Sequence, residues 1–188
     1  MAKRNKRGFG SFLGTLILLA LLLAIAFVGY KTYEKLPVVT FIGEFAGAVS
    51  ELDLNRLSEY FTPDSDVKKA LDLANTIGNM PILGELAGSA AGLISGSFDY
   101  EVDYTDVKIT VNGQSATAVF GVIDKKNAGR KSYLTLNLEK IDDRWYTPEL
   151  PSIKPASETD LEYNNTIQGY AEHASDYAAF AIYAATNQ

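Results

Sequence analysis

From Gly8 to Tyr30 the chain carries no charged side chain, and Leu16 to Val28 is almost wholly Leu, Ile, Ala, Val and Phe. As a helix rising about 1.5 Å per residue, this run reaches about 34 Å. That suffices for a hydrocarbon core of about 30 Å. Lys3, Arg4, Lys6 and Arg7 precede it. Phe9 and Phe12 lie at one end and Phe27, Tyr30 and Tyr33 at the other, as in interfacial aromatic belts. The basic flank predicts a cytoplasmic N-terminus and an extracytoplasmic remainder. The competing reading is a cleaved secretory signal. Its apolar core runs about 7–15 residues and is followed by a small-x-small site. Phe27-Val28-Gly29-Tyr30-Lys31 is a poor site of that kind, so an uncleaved single-pass anchor is expected.

Removing those four basic residues from the chain's 17 leaves 13 against 23 acidic, a net of −10 for the remainder. Such a balance argues against nucleic acid as a partner. With no cysteine, disulfides, thiolate metal sites and cysteine nucleophiles are excluded. One histidine, His173, excludes multi-histidine metal centres and leaves little for acid–base chemistry. No glycine-rich phosphate loop, nucleophile elbow or metal-ligand spacing is present. The expectation is a protein with no catalytic residues, no cofactor and no metal. An acidic, cysteine-free exterior fits a bacterial cell envelope.

The remainder reads helices first, then strands. A basic segment (1–7), the membrane helix (8–30) and a linker (31–37) lead to a break at Leu36-Pro37. A helix is expected over Val38–Ser50, with Phe41, Phe45, Val49 and Leu52 on one stripe. A second follows over Asp53–Phe61, with Asp53 as N-cap. A third opens at Ser65 or Asp66, with Val67, Ala70, Leu71 and Ala74 on one face, and ends near Gly78. Between Pro81 and Ser97, Gly84, Gly88, Gly92 and Gly96 recur every four residues. A helix there would carry a smooth ridge open to close backbone approach. It reads either as a second membrane helix or self-association face, or as a flexible or tightly packed helix lying on its own domain.

From Phe98 the period becomes two. Phe98, Tyr100, Val102 and Tyr104 alternate with Asp99, Glu101 and Asp103; the apolar parity then passes to Val107, Ile109 and Val111. That slip predicts a bulge near Thr105-Asp106. Asn112-Gly113 predicts a tight hairpin turn. The next strand, Ser115–Asp124, ends in a polar turn at 125–130. A third places Leu134, Leu136 and Leu138 inward and Tyr133, Thr135 and Asn137 outward. Asp142-Asp143 turns the chain into a fourth strand, Arg144–Thr147, with Trp145 expected in the core. The whole is α+β, a transmembrane helix followed by a cone of helices on a curved antiparallel sheet.

Two segments resemble a family. Glu51 to Asp64, ELDLNRLSEYFTPD, is similar to the opening helices of nuclear-transport-factor-two-like, or cystatin-like, cone domains. Leu138 to Leu150, LEKIDDRWYTPEL, is similar to their closing hairpin. The resemblance implies a cone over residues 38–150, and the glycine-rich stretch departs from it. Enzymes of that family use Asp, Tyr or His facing the cone, which implies Asp99, Tyr100, Asp103, Tyr104 and Tyr133 as candidates. Fold alone does not give activity, and the alternating acids read more simply as a solvated strand face.

The tail, 151–188, begins as a Pro- and Ser-containing linker and then predicts a helix over Asp160–Thr186. Tyr163, Tyr170 and Tyr177 fall seven apart, followed by Tyr183. Ile167, Ala171, Ala174, Ala178 and Ala181 form a neighbouring stripe. This helix either docks on its own domain or offers its tyrosines to a partner. The favoured expectation is a non-enzymatic envelope protein, a scaffold subunit of a membrane assembly. Protein contact or self-association would use Gly84, Gly88, Gly92, Tyr163, Tyr170 and Tyr177. The alternative is a tethered ligand-binding or enzymatic cone.

Overall fold

In the computed structural model, which describes residues 7–51, 53–78, 100–124, 131–155 and 166–187, one helix, α1 (Arg7–Ser50), runs unbroken for 44 residues. The expected linker at 31–37 and the stop before Pro37 are therefore corrected. Pro37 lies inside the helix, where it lacks the N–H that would bond to the Tyr33 carbonyl. Burial on both sides overrides that local cost. Thr32 and Lys35 are buried just before it, and Val38 and Val39 are fully buried just after. Two hydroxyls brace the stretch: Thr32 Oγ1 donates to the Val28 carbonyl (2.7 Å) and Thr40 Oγ1 to that of Leu36 (3.0 Å).

From Leu16 to Phe27 the helix is apolar and exposed. Leu16, Leu22, Leu23 and Ile25 are all more than half exposed. Above this stretch, Phe41, Phe45 and Val49 form the buried stripe that the spacing predicts, joined by Val38 and Ile42, while Leu52 lies outside the described residues.

Helix α2 (Leu54–Ser58) is capped by Asp53, whose carboxylate accepts from the Arg56 N–H (3.0 Å). It stops short of the expected Phe61. There the backbone exchanges helical bonds for bonds to a sheet edge. Thr147 N–H donates to the Tyr60 carbonyl (2.9 Å), Thr62 N–H donates to the Thr147 carbonyl (3.1 Å), and Phe61 bridges Thr147. Helix α3 (Asp66–Gly78) is capped by Ser65, whose Oγ accepts from the Lys68 N–H. It turns Leu71 and Val67 inward, whereas Ala70, expected beside them, is exposed.

The sheet consists of β1 (Tyr100–Asn112), β2 (Ser115–Asp124), β3 (Lys131–Ile141), β4 (Arg144–Tyr146) and β5 (Ser152–Pro155), all paired antiparallel in the order β1-β2-β3-β4. The bulge lies where the parity slip puts it. Asp103 faces Gly121 and Val107 faces Phe120, which leaves Tyr104, Thr105 and Asp106 without register partners. An odd number of extra residues switches the parity of the sequence, so that Val102 opposite Val122 and Val107 opposite Phe120 stay on one face of the sheet, as the slip requires.

The first hairpin turns one residue later than Asn112-Gly113 suggests. Asn112 pairs with Ser115, so the loop is Gly113-Gln114, with Gly113 at φ 61°. Glycine at the first loop position is the type II′ preference. Asp142 and Asp143 both take positive φ, 48° and 64°, the type I′ pattern. Strand β5 lies in the segment expected to be a linker. It pairs with the first half of β3, beside β4 on the second half, and Pro155 ends it at the sheet edge, where a missing N–H is tolerated.

A single apolar core joins the layers. Phe41, Phe45, Tyr60 and Phe61 pack with ring centroids 5.4–6.0 Å apart. Leu136 and Leu138 are buried from β3 as expected, and Trp145 is half-buried against the same cluster. The tail helix, α4 (Ile167–Thr186), is capped by Thr166. It lies on the core: Ala179 is fully buried and Phe180 meets Phe120 edge-on at 5.9 Å. The tail is thus part of the domain.

Candidate functional site

The seam between α1 and α4 holds the most specific polar arrangement among the described residues. Lys35 Nζ donates to Asp176 Oδ1 (2.5 Å), Ser175 Oγ (2.9 Å) and the Glu172 carbonyl (3.3 Å). Lys35 is 4% exposed and Asp176 1%. An ammonium has three protons to give, and all three are used. Desolvating both ions is costly, and removing one strands the other. The pair therefore fixes where α4 sits against α1 more than it adds net stability.

Two turns along α1, Gly43 lets the Tyr183 ring lie against the helix backbone; a Cβ at that position would overlap the ring. Beside this contact is a partly open apolar cavity of about 410 Å³, lined by Ile42, Gly43, Ala46, Tyr177, Phe180 and Ala181, among others.

Helix α4 has two faces. Gly169, Ser175, Asp176 and Ala179 are buried against the domain, while Tyr170, Ala174, Tyr177 and Ala181 are exposed. Tyr170 is 68% and Tyr177 54% exposed. Their spacing of seven keeps both on one outer stripe. The six-residue step from Tyr177 to Tyr183 turns Tyr183 inward onto Gly43. Of the two sequence readings of the tail, docking on its own domain describes the inner face, and the outer face leaves Tyr170 and Tyr177 exposed. Tyr163, Gly84, Gly88 and Gly92 lie outside the described residues.

Of the cone candidates, Tyr133 alone has a side chain among the described residues. Asp99 lies outside the described residues, as do the side chains of Tyr100, Asp103 and Tyr104. Tyr133 Oη donates to Asp106 Oδ2 (3.0 Å), on the sheet face opposite the buried Leu134–Leu136 side. On the helix-covered face, Phe120, Leu136 and Val107 fill the space. His173 is half-buried in α4. Among the described residues, no group of three His, Asp or Glu side chains could hold a metal. The perturbed carboxyls are peripheral. Asp143 is held below the usual range by its Lys140 partner (2.9 Å) at a hairpin tip, and Asp72 by Lys68 and then Ser58.

Lys35 and Asp176 escaped the periodicity reading because a buried ion pair has no period. A weak signal did exist. Lys35 is the last basic residue before Arg56, and Asp176 is the last charge of any kind in an alanine-rich helix.

No family model matches the chain, and no curated protein matches it. Two solved structures are similar to it. A protein of unknown function with a cystatin-like fold from Nostoc punctiforme is 15% identical, with 68% of this chain and 95% of that one covered and a TM-score of 0.39. A function-unknown protein from Mycobacterium tuberculosis is 14% identical, with 83% and 93% covered and a TM-score of 0.44.

Proposed function

We propose that this is a single-pass bacterial envelope protein whose extracytoplasmic α+β domain, of the cystatin-like cone class, works by binding another protein and not by catalysis. In this reading α1 is an uncleaved anchor, basic end inward. The bare apolar faces from Leu16 to Ile25 support it, because lipid, unlike water, makes no demand for a polar face. The observation that carries the binding role is the outer side of the α1–α4 seam. A helix locked to the anchor by Lys35–Asp176 presents exposed Tyr177 beside a small-residue groove. Tyrosine gives a large contact area at low entropy cost. The helix-covered face of the sheet is filled by apolar side chains, which supports a binding role over an enzymatic cone. A scaffold role in a membrane assembly is the specific form we favour.

The test is a photo-crosslinking residue at Tyr177 in the full chain, irradiated in native membranes. Capture of one discrete neighbour, lost when Ala181 is changed to Arg, is expected. Absence of any adduct at Tyr177, Ala181 and Ile182 would remove this surface from consideration. The seam cavity lies in the 300–1,000 Å³ range of small-molecule sites. A small molecule retained there through purification would instead favour the tethered ligand-binding reading.

A further inference from the structure

We infer that Tyr170 faces the phospholipid headgroup layer and not a protein partner, so that the first turn of α4 rests on the same bilayer that α1 crosses. This rests on reading α1 as the membrane span, and it divides the tyrosine stripe by height. The two helices run in the same direction in near-constant register. Lys35 meets Ser175 and Asp176, and Gly43 meets Tyr183, a sequence offset of 140 or 141 at the first contact. The same offset carried back five residues puts Tyr170 level with Tyr30, the last residue of the charge-free run.

Heights above that level decide which side chains lipid can reach. A headgroup layer adds roughly 5–8 Å to each side of the hydrocarbon core. Tyr33 stands about 4.5 Å above Tyr30 along the axis, and Tyr177 about 10 Å above Tyr170. Tyr30, Tyr33 and Tyr170 therefore fall within the layer and Tyr177 beyond it. Tyr30 is 65% and Tyr33 78% exposed, so, like Tyr170, they leave most of their ring surface free of protein contact. An aromatic ring with a polar tip is the side chain that favours this zone. Three such rings come from two helices whose relative height Lys35–Asp176 holds. The stripe is uncharged, which suits lipid contact by a domain whose net charge is strongly negative.

The chain has no cysteine, so single-cysteine variants carry a nitroxide without background. Label Leu22→Cys, Tyr170→Cys, Ala174→Cys and Tyr177→Cys in the full chain, reconstituted in phosphatidylcholine–phosphatidylglycerol vesicles. Then compare relaxation by oxygen and by a water-soluble nickel chelate. The expected result is a graded series. Position 22 sits deep in lipid, position 170 shows a several-fold loss of chelate accessibility relative to 177, and 174 falls between. All three α4 positions are exposed, so labelling leaves the fold intact, and unchanged proteolysis patterns check this. Chelate accessibility at 170 equal to that at 177, with 22 still in lipid, overturns the inference and leaves the span standing. Chelate access at 22 removes the span and the inference with it.

Discussion

The two halves of α1 are one helix in two surroundings. From Leu16 to Ile25 large aliphatic side chains stand exposed on every face, Leu19 at 56% and Ile25 at 67%. From Thr32 to Val49 burial is one-sided: Val38, Phe41, Phe45 and Val49 face the core while Tyr33 and Glu44 face outward. A helix apolar all round suits a surrounding with no polar side, whereas a stripe suits a protein core against water. The change falls within about one turn, between Tyr30 and Lys35. A single rod therefore carries both the exposed apolar stretch and the domain's central core element, and forces on one are felt by the other.

The largest expected effect tests that division. Phe45→Ala removes a ring stacked on Phe41 and edge-on to Tyr60 and Phe61. It should destabilise the domain by about 3–5 kcal/mol. Leu19→Ala should leave it within about 0.5 kcal/mol. Denaturant unfolding in detergent, followed by the fluorescence of Trp145, reads both. Equal shifts would mean that the halves are not separate environments.

Next in size is the pair that pins α4 to the lower end of the core half. Lys35→Met takes the ammonium away from a buried carboxylate and should cost about 3 kcal/mol, whereas Lys35→Met with Asp176→Leu should recover most of that loss. Hydrogen exchange across α4 localises the effect. A double variant as unstable as the single one would show that the pair is worth more than its packing.

Strand parity, the bulge and the Asp142-Asp143 turn were legible because each is a local rule about backbone or face. Tyr170 and Tyr177 on one stripe were legible for the same reason. The misreadings occur where distant contacts win. Pro37 is a helix stop by local rule and is overridden by the burial of Val38 and Val39. Phe61 leaves its helix for a bridge to Thr147, a partner far along the chain. Strand β5 is short and lies between prolines, and only the free edge of β3 makes it a strand. Lys35 and Asp176, the centre of the seam, are joined by tertiary approach alone.

Pro37 sits early in the core half of α1, and its replacement sharpens the comparison with a gain. Alanine restores an N–H for the Tyr33 carbonyl and removes a residue about 3 kcal/mol less favourable in a helix interior. The freer unfolded chain returns about 0.4–1 kcal/mol of that. Relief already made by the surrounding packing takes more. Pro37→Ala should therefore stabilise by about 1–2 kcal/mol in the same unfolding assay. A loss of stability instead, with faster exchange in α4, would mean that the proline sets the path of α1 that lets Lys35 reach Asp176.

The smallest effect is the most diagnostic, because its sign depends on one contact. Gly43→Ala improves helix propensity by up to about 1 kcal/mol. The new Cβ, however, meets the Tyr183 ring, and overpacking of this kind costs about 1–3 kcal/mol. With Tyr183 present the change should destabilise by about 1 kcal/mol. In a Tyr183→Ala background the obstacle is gone, and the same substitution should stabilise by a similar amount. The equivalent change in the lower half, Gly29→Ala, meets nothing within 4 Å and should show no dependence on residue 183. A Gly43→Ala effect of the same sign in both backgrounds would mean that α4 does not need close approach to α1. The seam would then be held by Lys35–Asp176 and the Phe120–Phe180 contact alone.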